Sequence, residues 1–386
     1  MMADCGLRIA DCRAGELAVA LLAGVWLACT TGPASAAKPP DVGATRGVFL
    51  SEARLETLRA RIARRVEPTY TAWVKLKARA DKHLAAKPNP PERWHVPGYY
   101  RDAKGHGDAK RGLMLDACRS YELALAYRMT GRETYAAAAA RLIDAWPAGV
   151  KQWSRKDDST LSFSYHFPPM IFAADLIAPS PGWPIERQRV FRRWVREKAI
   201  PMNCMQGRNN WGNWGLCMAI SAARYVGDDA LFRRCVARWK QFIESQIAPD
   251  GHLHHEVRRS GGQRGLWYSH FSLFPQTVAA EVARLGGEDL YEYRSPSGRT
   301  LRQAFERIAS WVRRPGTFPF WKGDPTQLHG AENYQYFELL GARWPNADAT
   351  ALLRARRPMT ALFGAPALTF THGGLLRDDG GAPGRQ

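Results

Sequence analysis

Residues 121–146 read YELALAYRMTGRETYAAAAARLIDAW, and this stretch decides the fold class. Its first half is built from strong helix formers, and its second half carries a run of alanines ahead of Leu142, Ile143 and Trp146. Gly131 separates the halves. Glycine accepts the left-handed backbone that ends many helices, so the stretch reads as two helices joined by a tight turn. Pro147 is expected to stop the second helix.

The same design recurs along the chain. A helical pattern over 216–226 halts at Gly227 and resumes over 230–247. Another over 277–285 halts at Gly286-Gly287, with a further helix from Asp289 onward. Residues 337–340 halt at Gly341, with a helix after Pro345. Earlier, Ser51 is placed to cap a helix bearing Leu55, Leu58 and Ile62 on one face. Pro68 then opens a helix with Trp73, Leu76, Ala80 and Leu84, and a Pro-rich loop follows over 87–100. Residues 367–376 read as a short β or irregular segment, and 378–386 as a disordered tail. The fold class is therefore all-α. Stacked helical hairpins form either a superhelix or an (α/α) toroid, complete or partial, around a central cleft.

Composition narrows the class of partner. The 386 residues carry 55 Lys+Arg against 36 Asp+Glu, a formal charge of +19, with 45% hydrophobic and 24% charged residues. Such a chain is neither disordered, nor collagen-like, nor a small disulfide scaffold. Aromatic residues make up 11%, including 14 Trp, which suits a core and equally suits a cleft that stacks on sugar rings. The basic excess implies a polyanionic partner: nucleic acid, an anionic membrane or an acidic polysaccharide. The apolar run LAVALLAGVWLA at 17–28 follows Arg8 and Arg13 and precedes Ala34-Ser35-Ala36. It is too short to span a bilayer and fits a signal peptide over 1–36, with the globular domain over 37–377. The expected location is periplasmic or secreted. Export argues against a nucleic-acid role, and no other apolar run is long enough for membrane insertion. The leader holds two arginines and three acids, so the mature charge is +20. Cys118, Cys204, Cys217 and Cys235 follow it. They contain no C-x-x-C pair, and Cys204 with Cys217 or Cys235 stands as open as four free thiols.

Four constellations carry candidate chemistry. Residues 208–215, RNNWGNWG, precede a helix. They read either as an Asn cap with core tryptophans, or as amide donors beside sugar-stacking rings. In 252–270, HLHHEVRRSGGQRGLWYSH, adjacent His254 and His255 diverge and no H-E-x-x-H spacing occurs, so no metal or other cofactor is expected. There, Arg264 and Tyr268 are i,i+4 neighbours if the segment is helical, which sets a guanidinium by a phenol and lowers its pKa. His166, in SYHFPPMIFAAD at 164–175, is a structural or a catalytic histidine at the mouth of an apolar helix. Trp321-Lys322-Gly323-Asp324 with 330–334 is a fourth, weaker lining candidate.

Trp94-His95-Val96-Pro97-Gly98-Tyr99-Tyr100, the hairpin at 121–146, Asn209-Asn210-Trp211, Arg264-Gly265-Leu266-Trp267-Tyr268 and Glu288-Asp289-Leu290-Tyr291 occur in that order. Together they resemble the alginate lyase superfamily of polysaccharide lyases over about 94–311. The resemblance implies an (α/α) toroid and a lyase acting on alginate, polymannuronate or polyglucuronate. It departs from the family pattern at three places. Trp211 stands where a histidine follows the two asparagines, Gly261 stands seven before the tyrosine where an arginine is usual, and the histidine after the tyrosine is displaced to His270.

The implied chemistry is β-elimination without a metal. Asn209, Asn210 and Arg264 offset the uronate carboxylate, since well-aimed donors are each worth about 10²–10³ in rate. Tyr268 acts as base and acid, with His166 or His270 as the candidate assistant. Trp211, Trp214, Tyr165, His270, Arg259 and Trp321 are expected to bind the polymer, and the protein is expected to be a monomer. Two other readings stand beside this one. A hydrolase on the same fold would need two carboxylates from Asp157, Asp158, Asp175 and Glu332. A non-catalytic polysaccharide-binding or cationic adhesion protein would need the charge alone.

Overall fold

The structure is a computed structural model that describes residues 46–330 and 332–374. The expected leader over 1–36 and tail over 378–386 lie outside the described residues. The first helices are α1 (Glu52–Ala63), α2 (Thr69–His83), α3 (Ala103–Thr130) and α4 (Glu133–Gly149). Next come α5 (Ser159–His166), α6 (Pro168–Leu176), α7 (Ile185–Trp194), α8 (Asn210–Val226) and α9 (Asp229–Gln246). The last are α10 (Gly265–Leu285), α11 (Leu301–Arg313), α12 (Phe337–Arg343), α13 (Ala347–Arg356) and α14 (Leu368–His372).

The hairpins expected over 121–146 and 216–247 are present; the other two differ, because residues 289–300 are not helical and the next helix is α11 from Leu301, and because α12 runs through Gly341 to Arg343. Gly131 and Gly227 end α3 and α8 with φ of 71° and 74°. Side-chain caps start the partners where the sequence supplies them. Asp228 accepts from the Leu231 amide at 2.8 Å, and Thr300 with Gln303 forms a reciprocal capping box on α11. Three further expectations need correction. Pro147 lies inside α4, because a proline so near the end interrupts little of the ladder before Gly149. Residues 368–372 are helical rather than β. The helix expected over 277–285 is the second half of α10, which starts at Gly265.

The helices close a ring. α2 packs on α3, α3 on α6, α6 on α8 and α8 on α10. From α10 the contacts run through α11 and α12 to α14, which returns to α2. This is an all-α toroid of hairpins. Much of the aromatic excess fills its core. Trp94, Trp146, Trp183, Trp214 and Trp239 are fully buried, and burying a large apolar side chain is worth about 1.5–3 kcal/mol. Cys118, Cys204, Cys217 and Cys235 are free thiols, so the disulfide alternative is not realised. Burial pushes the Cys204 thiol up to about 11.

A small clip matters for the site. Strand β1 (Arg93–Trp94) pairs in parallel with β2 (Gln152–Trp153). The Trp94 indole donates to the Ser159 carbonyl at 3.0 Å, and the Tyr99 amide to Asp158 at 2.9 Å. The Pro-rich loop is thereby tied to the start of α5.

Candidate active site

A cavity of about 610 Å³ opens among these elements. The tethered loop contributes Tyr99 and Tyr100, α3 His106 and Lys110, and α5 Tyr165 and His166. The start of α8 contributes Asn210 and Trp211. Arg259, Arg264, Trp267 and Tyr268 come from the start of α10 and the segment before it.

Tyr268 sits in the first turn of α10. Its hydroxyl is 2.7 Å from that of Tyr100, and the Arg259 guanidinium carbon lies 4.1 Å from the centre of its ring. Arg259 reaches that ring because the backbone turns back on itself. Ser260, Gly261 and Gly262 all take left-handed φ, of 52°, 64° and 101°. A side chain at Gly262 would run into the Phe320 carbonyl. Burial and the hydrogen bond from Tyr100 push the Tyr268 phenol up to about 12, against the lowering effect of Arg259. Tyr100 moves down: burial opposes this, but the bonds from Tyr268 and Arg259 outweigh it. The two phenols thus form one titrating pair under a guanidinium, whose first proton leaves below the ordinary phenol value.

The expected partner for this phenol was Arg264. Arg264 instead lies over Tyr99, 5.9 Å from its ring centre, while Arg259 covers Tyr268. The i,i+4 argument missed the reversal at 260–262.

Asn210 is 1% exposed and anchored by Glu256. Its backbone amide donates to the Glu256 carboxylate at 2.8 Å, and its side-chain nitrogen lies 3.0 Å from both carboxylate oxygens. Two oxygens of one carboxylate at equal distance share a single N–H, which leaves the second to donate elsewhere. Burial raises the Glu256 pKa against the opposing Asn210 bonds and Arg259 charge. Asn209 does something different. It is the N-cap of α8, accepting from the Trp211 amide at 3.2 Å, and it does not line the cavity. The glycines of the same motif serve packing: a Cβ on Gly212 or Gly215 would strike backbone of residues 204–207.

His166 lines the cavity with its Nδ1 3.0 Å from the Leu362 carbonyl oxygen. A carbonyl only accepts, so the neutral ring carries its proton on Nδ1. Burial, reinforced by the Lys110 charge, holds the imidazole well below its ordinary pKa. Trp211, Tyr165 and Arg259 also line the cavity.

Three expected binding residues lie elsewhere. Trp214 is fully buried against Tyr165, Phe271, Phe274 and Phe363. His270, two residues after Tyr268, points away from the cavity. Its Nδ1 pairs with the Tyr336 hydroxyl at 2.9 Å, and burial lowers it to about 3. Trp321 packs on a separate small cluster with Val257, Leu266, Trp311, Phe318 and Leu328.

His106 and Lys110 are cavity residues that the motif reading passed over, and Tyr99, Tyr100 and Trp267 line it as well, although that reading gives them no role of their own. Tyr99 and Tyr100 stand in the Pro-rich loop and in a stretch that carries the family resemblance, but neither reading assigns them a role. Of the four candidate hydrolase acids only Asp158 lines the cavity, and its carboxylate already takes the Tyr99 amide and His106. Asp157 pairs with Arg101, Asp175 is buried on the Arg46 and Val48 amides, and Glu332 is exposed away from the cavity. No group of three or more His, Cys, Asp or Glu side chains among the described residues is arranged to hold a metal ion.

A helical toroid with an aromatic, cationic cleft defines a class of carbohydrate-active folds, and comparison with known proteins gives the family. The alginate lyase family model matches residues 69–318, and the chain belongs to that family. A polysaccharide lyase from Stenotrophomonas maltophilia (strain K279a) is 31% identical over 180 residues, 44% of this chain and 50% of that protein. The match thus spans about half the length of this curated relative. Alginate lyase A1-III from Sphingomonas species A1 has a TM-score of 0.69 at 22% identity, covering 86% of this chain and 97% of that one. A Tyr-to-Phe variant of alginate lyase A1-III complexed with a tetrasaccharide also scores 0.69 at 22% identity, over 91% and 100%. An alginate lyase from Bacteroides ovatus scores 0.64 at 19% identity, over 86% and 99%. These structural likenesses concern the fold.

Proposed function

We propose that the protein is an exported, monomeric, metal-independent polysaccharide lyase that cleaves a uronate polymer, either alginate-type or polyglucuronate, by β-elimination. The observation that carries this reading is the Tyr100–Tyr268 phenol pair under Arg259, in one cavity with Asn210 and Arg264. The family to which the chain belongs supports it.

The proton on C5 of a uronate is α to a carboxylate and is weakly acidic until that charge is offset. Asn210, through its second N–H, and Arg264 are the donors that hold the carboxylate as the enolate-like intermediate develops. Tyr100 carries the pair's negative charge under Arg259; as it takes the Tyr268 proton across their hydrogen bond, the Tyr268 oxygen takes the C5 hydrogen. The same hydroxyl then returns it to the glycosidic oxygen as the C4–O bond breaks, leaving a C4–C5 double bond. Trp211 and Trp267 offer flat faces to the sugar. His166 is neutral and is limited to accepting or shuttling a proton.

The test is the near-ultraviolet absorbance of the unsaturated uronate, followed over polymannuronate, polyguluronate and polyglucuronate. A lyase produces that chromophore, keeps its rate in excess chelator and loses it in Tyr268→Phe. A binding protein or a hydrolase produces none. Export is tested by mass spectrometry of the N-terminus, which should begin after Ala36.

A further inference from the structure

The cavity has a second positive pole. Lys110 stands on α3 and lines the same cavity as Arg259, Arg264 and Tyr268, which come from the α10 side. Its ammonium donates to the Tyr165 hydroxyl at 2.9 Å and forms no ion pair among the described residues. Asp158, the acid that shares the cavity, is occupied by the Tyr99 amide and by His106. His166, beside Tyr165, is a neutral ring, so Lys110 is the charge of the α3 side. A half-buried ammonium that makes no direct ion pair among the described residues, with only the longer-range field of Asp158 to offset it, keeps two N–H donors for an anionic ligand.

We propose that Lys110, steered by Tyr165, is a specificity-determining residue that binds the carboxylate of a second uronate while the reacting uronate lies at the Arg264–Asn210–Tyr268 wall. This rests on the uronate-lyase reading and sharpens it. The site then demands two acidic sugars close together along the chain, and it disfavours polymers in which uronates alternate with neutral amino sugars. Such polymers present one carboxylate to two poles, and Lys110 stays buried without a partner.

The experiment compares kcat/KM on a homopolymeric uronate with that on hyaluronan, for the wild type, Lys110→Met and Tyr165→Phe. Wild type should prefer the homopolymer strongly. Lys110→Met should lose about tenfold to a hundredfold on the homopolymer, mostly in KM, as expected for one charge-assisted bond, and little on hyaluronan. Tyr165→Phe removes the hydrogen bond that steers Lys110 and keeps the charge, so it should lower the homopolymer preference in the same direction as Lys110→Met but by less. If both variants fall equally on both polymers, Lys110 only props Tyr165 and the proposal is overturned. It is also overturned if Lys110→Met leaves the preference intact. Should Lys110→Met fold poorly, titration of a homouronate tetrasaccharide into Tyr268→Phe with and without Lys110→Gln decides the same question by affinity. If Tyr268→Phe retains turnover, the lyase reading itself has failed, an outcome separable from these.

Discussion

The two ends of α10 hold ionisable groups in opposite states. Near its C-terminus, Glu281 is saturated. It accepts from Arg284 at 2.7 and 3.0 Å and from Tyr291 at 3.2 Å, and His372 lies 3.7 Å away. Burial alone would raise this carboxyl, but the bonds from His372 and Arg284 outweigh it and hold it well below the carboxylate range. At the N-terminal end, Tyr268 has one phenol partner and a guanidinium over its ring, and Arg264 and Lys110, which line the same cavity, form no direct ion pair among the described residues. A saturated group is there for stability. A group left short of partners in a cavity is there for something that arrives. The same helix thus anchors the ring at one end and supplies chemistry at the other.

Breaking the comparison at the open end should have the largest effect. Tyr268→Phe is expected to cut turnover by about 10³ or more, equivalent to about 4 kcal/mol of barrier, with an unchanged melting temperature. Calorimetry beside the absorbance assay checks both halves. Breaking the closed end should do the reverse. Glu281→Gln is expected to cost about 3 kcal/mol of stability at neutral pH, read by denaturant titration, while folded enzyme keeps its rate. The folded carboxyl is held low, so its contribution is complete above the ordinary carboxylate pKa of about 4.3. It fades as pH falls towards the lower folded value, and wild type and variant should converge there.

Next in size, Arg259→Met should lower kcat/KM by about a hundredfold at neutral pH. Removing a positive charge from the phenol pair raises its first pKa, so the rising limb of the pH–rate profile should move to higher pH. Arg264→Met should move that limb in the same direction but by less, since Arg264 acts on Tyr100 through charge alone while Arg259 also hydrogen-bonds to it. The smallest effect belongs to Asn209→Ala, about 1 kcal/mol of stability from a lost cap, with turnover unchanged in the assay. A large loss of turnover there would restore Asn209 to the machinery.

The hairpins were legible because Gly131 and Gly227 end helices by a local rule that needs no tertiary information. Asn210 and Tyr268 were legible as residue types in an unusual context, and they do share a cavity. What escaped detection depends on geometry between elements. Tyr100 reaches Tyr268 across 168 positions, through a two-residue parallel clip that no periodicity announces. Arg259 displaces Arg264 from Tyr268 because three consecutive left-handed residues reverse the chain, and Ser260 gives no composition cue for that. Trp214 and His270 were assigned to the cleft on residue type alone. Each lies on a helix buried all round, where type does not say which wall a side chain meets.

The contact between α14 and α2 has a consequence for how the protein comes to be. It is the seam of the ring, and its two sides are made almost an entire domain apart during synthesis. The nascent chain therefore carries an uncovered α2 face until α14 has been made, a long window in which a holdase has something to grip. The seam also makes the toroid a natural subject for circular permutation: new termini opened at the Gly286-Gly287 turn, with α14 linked forward to α1, should preserve the cleft.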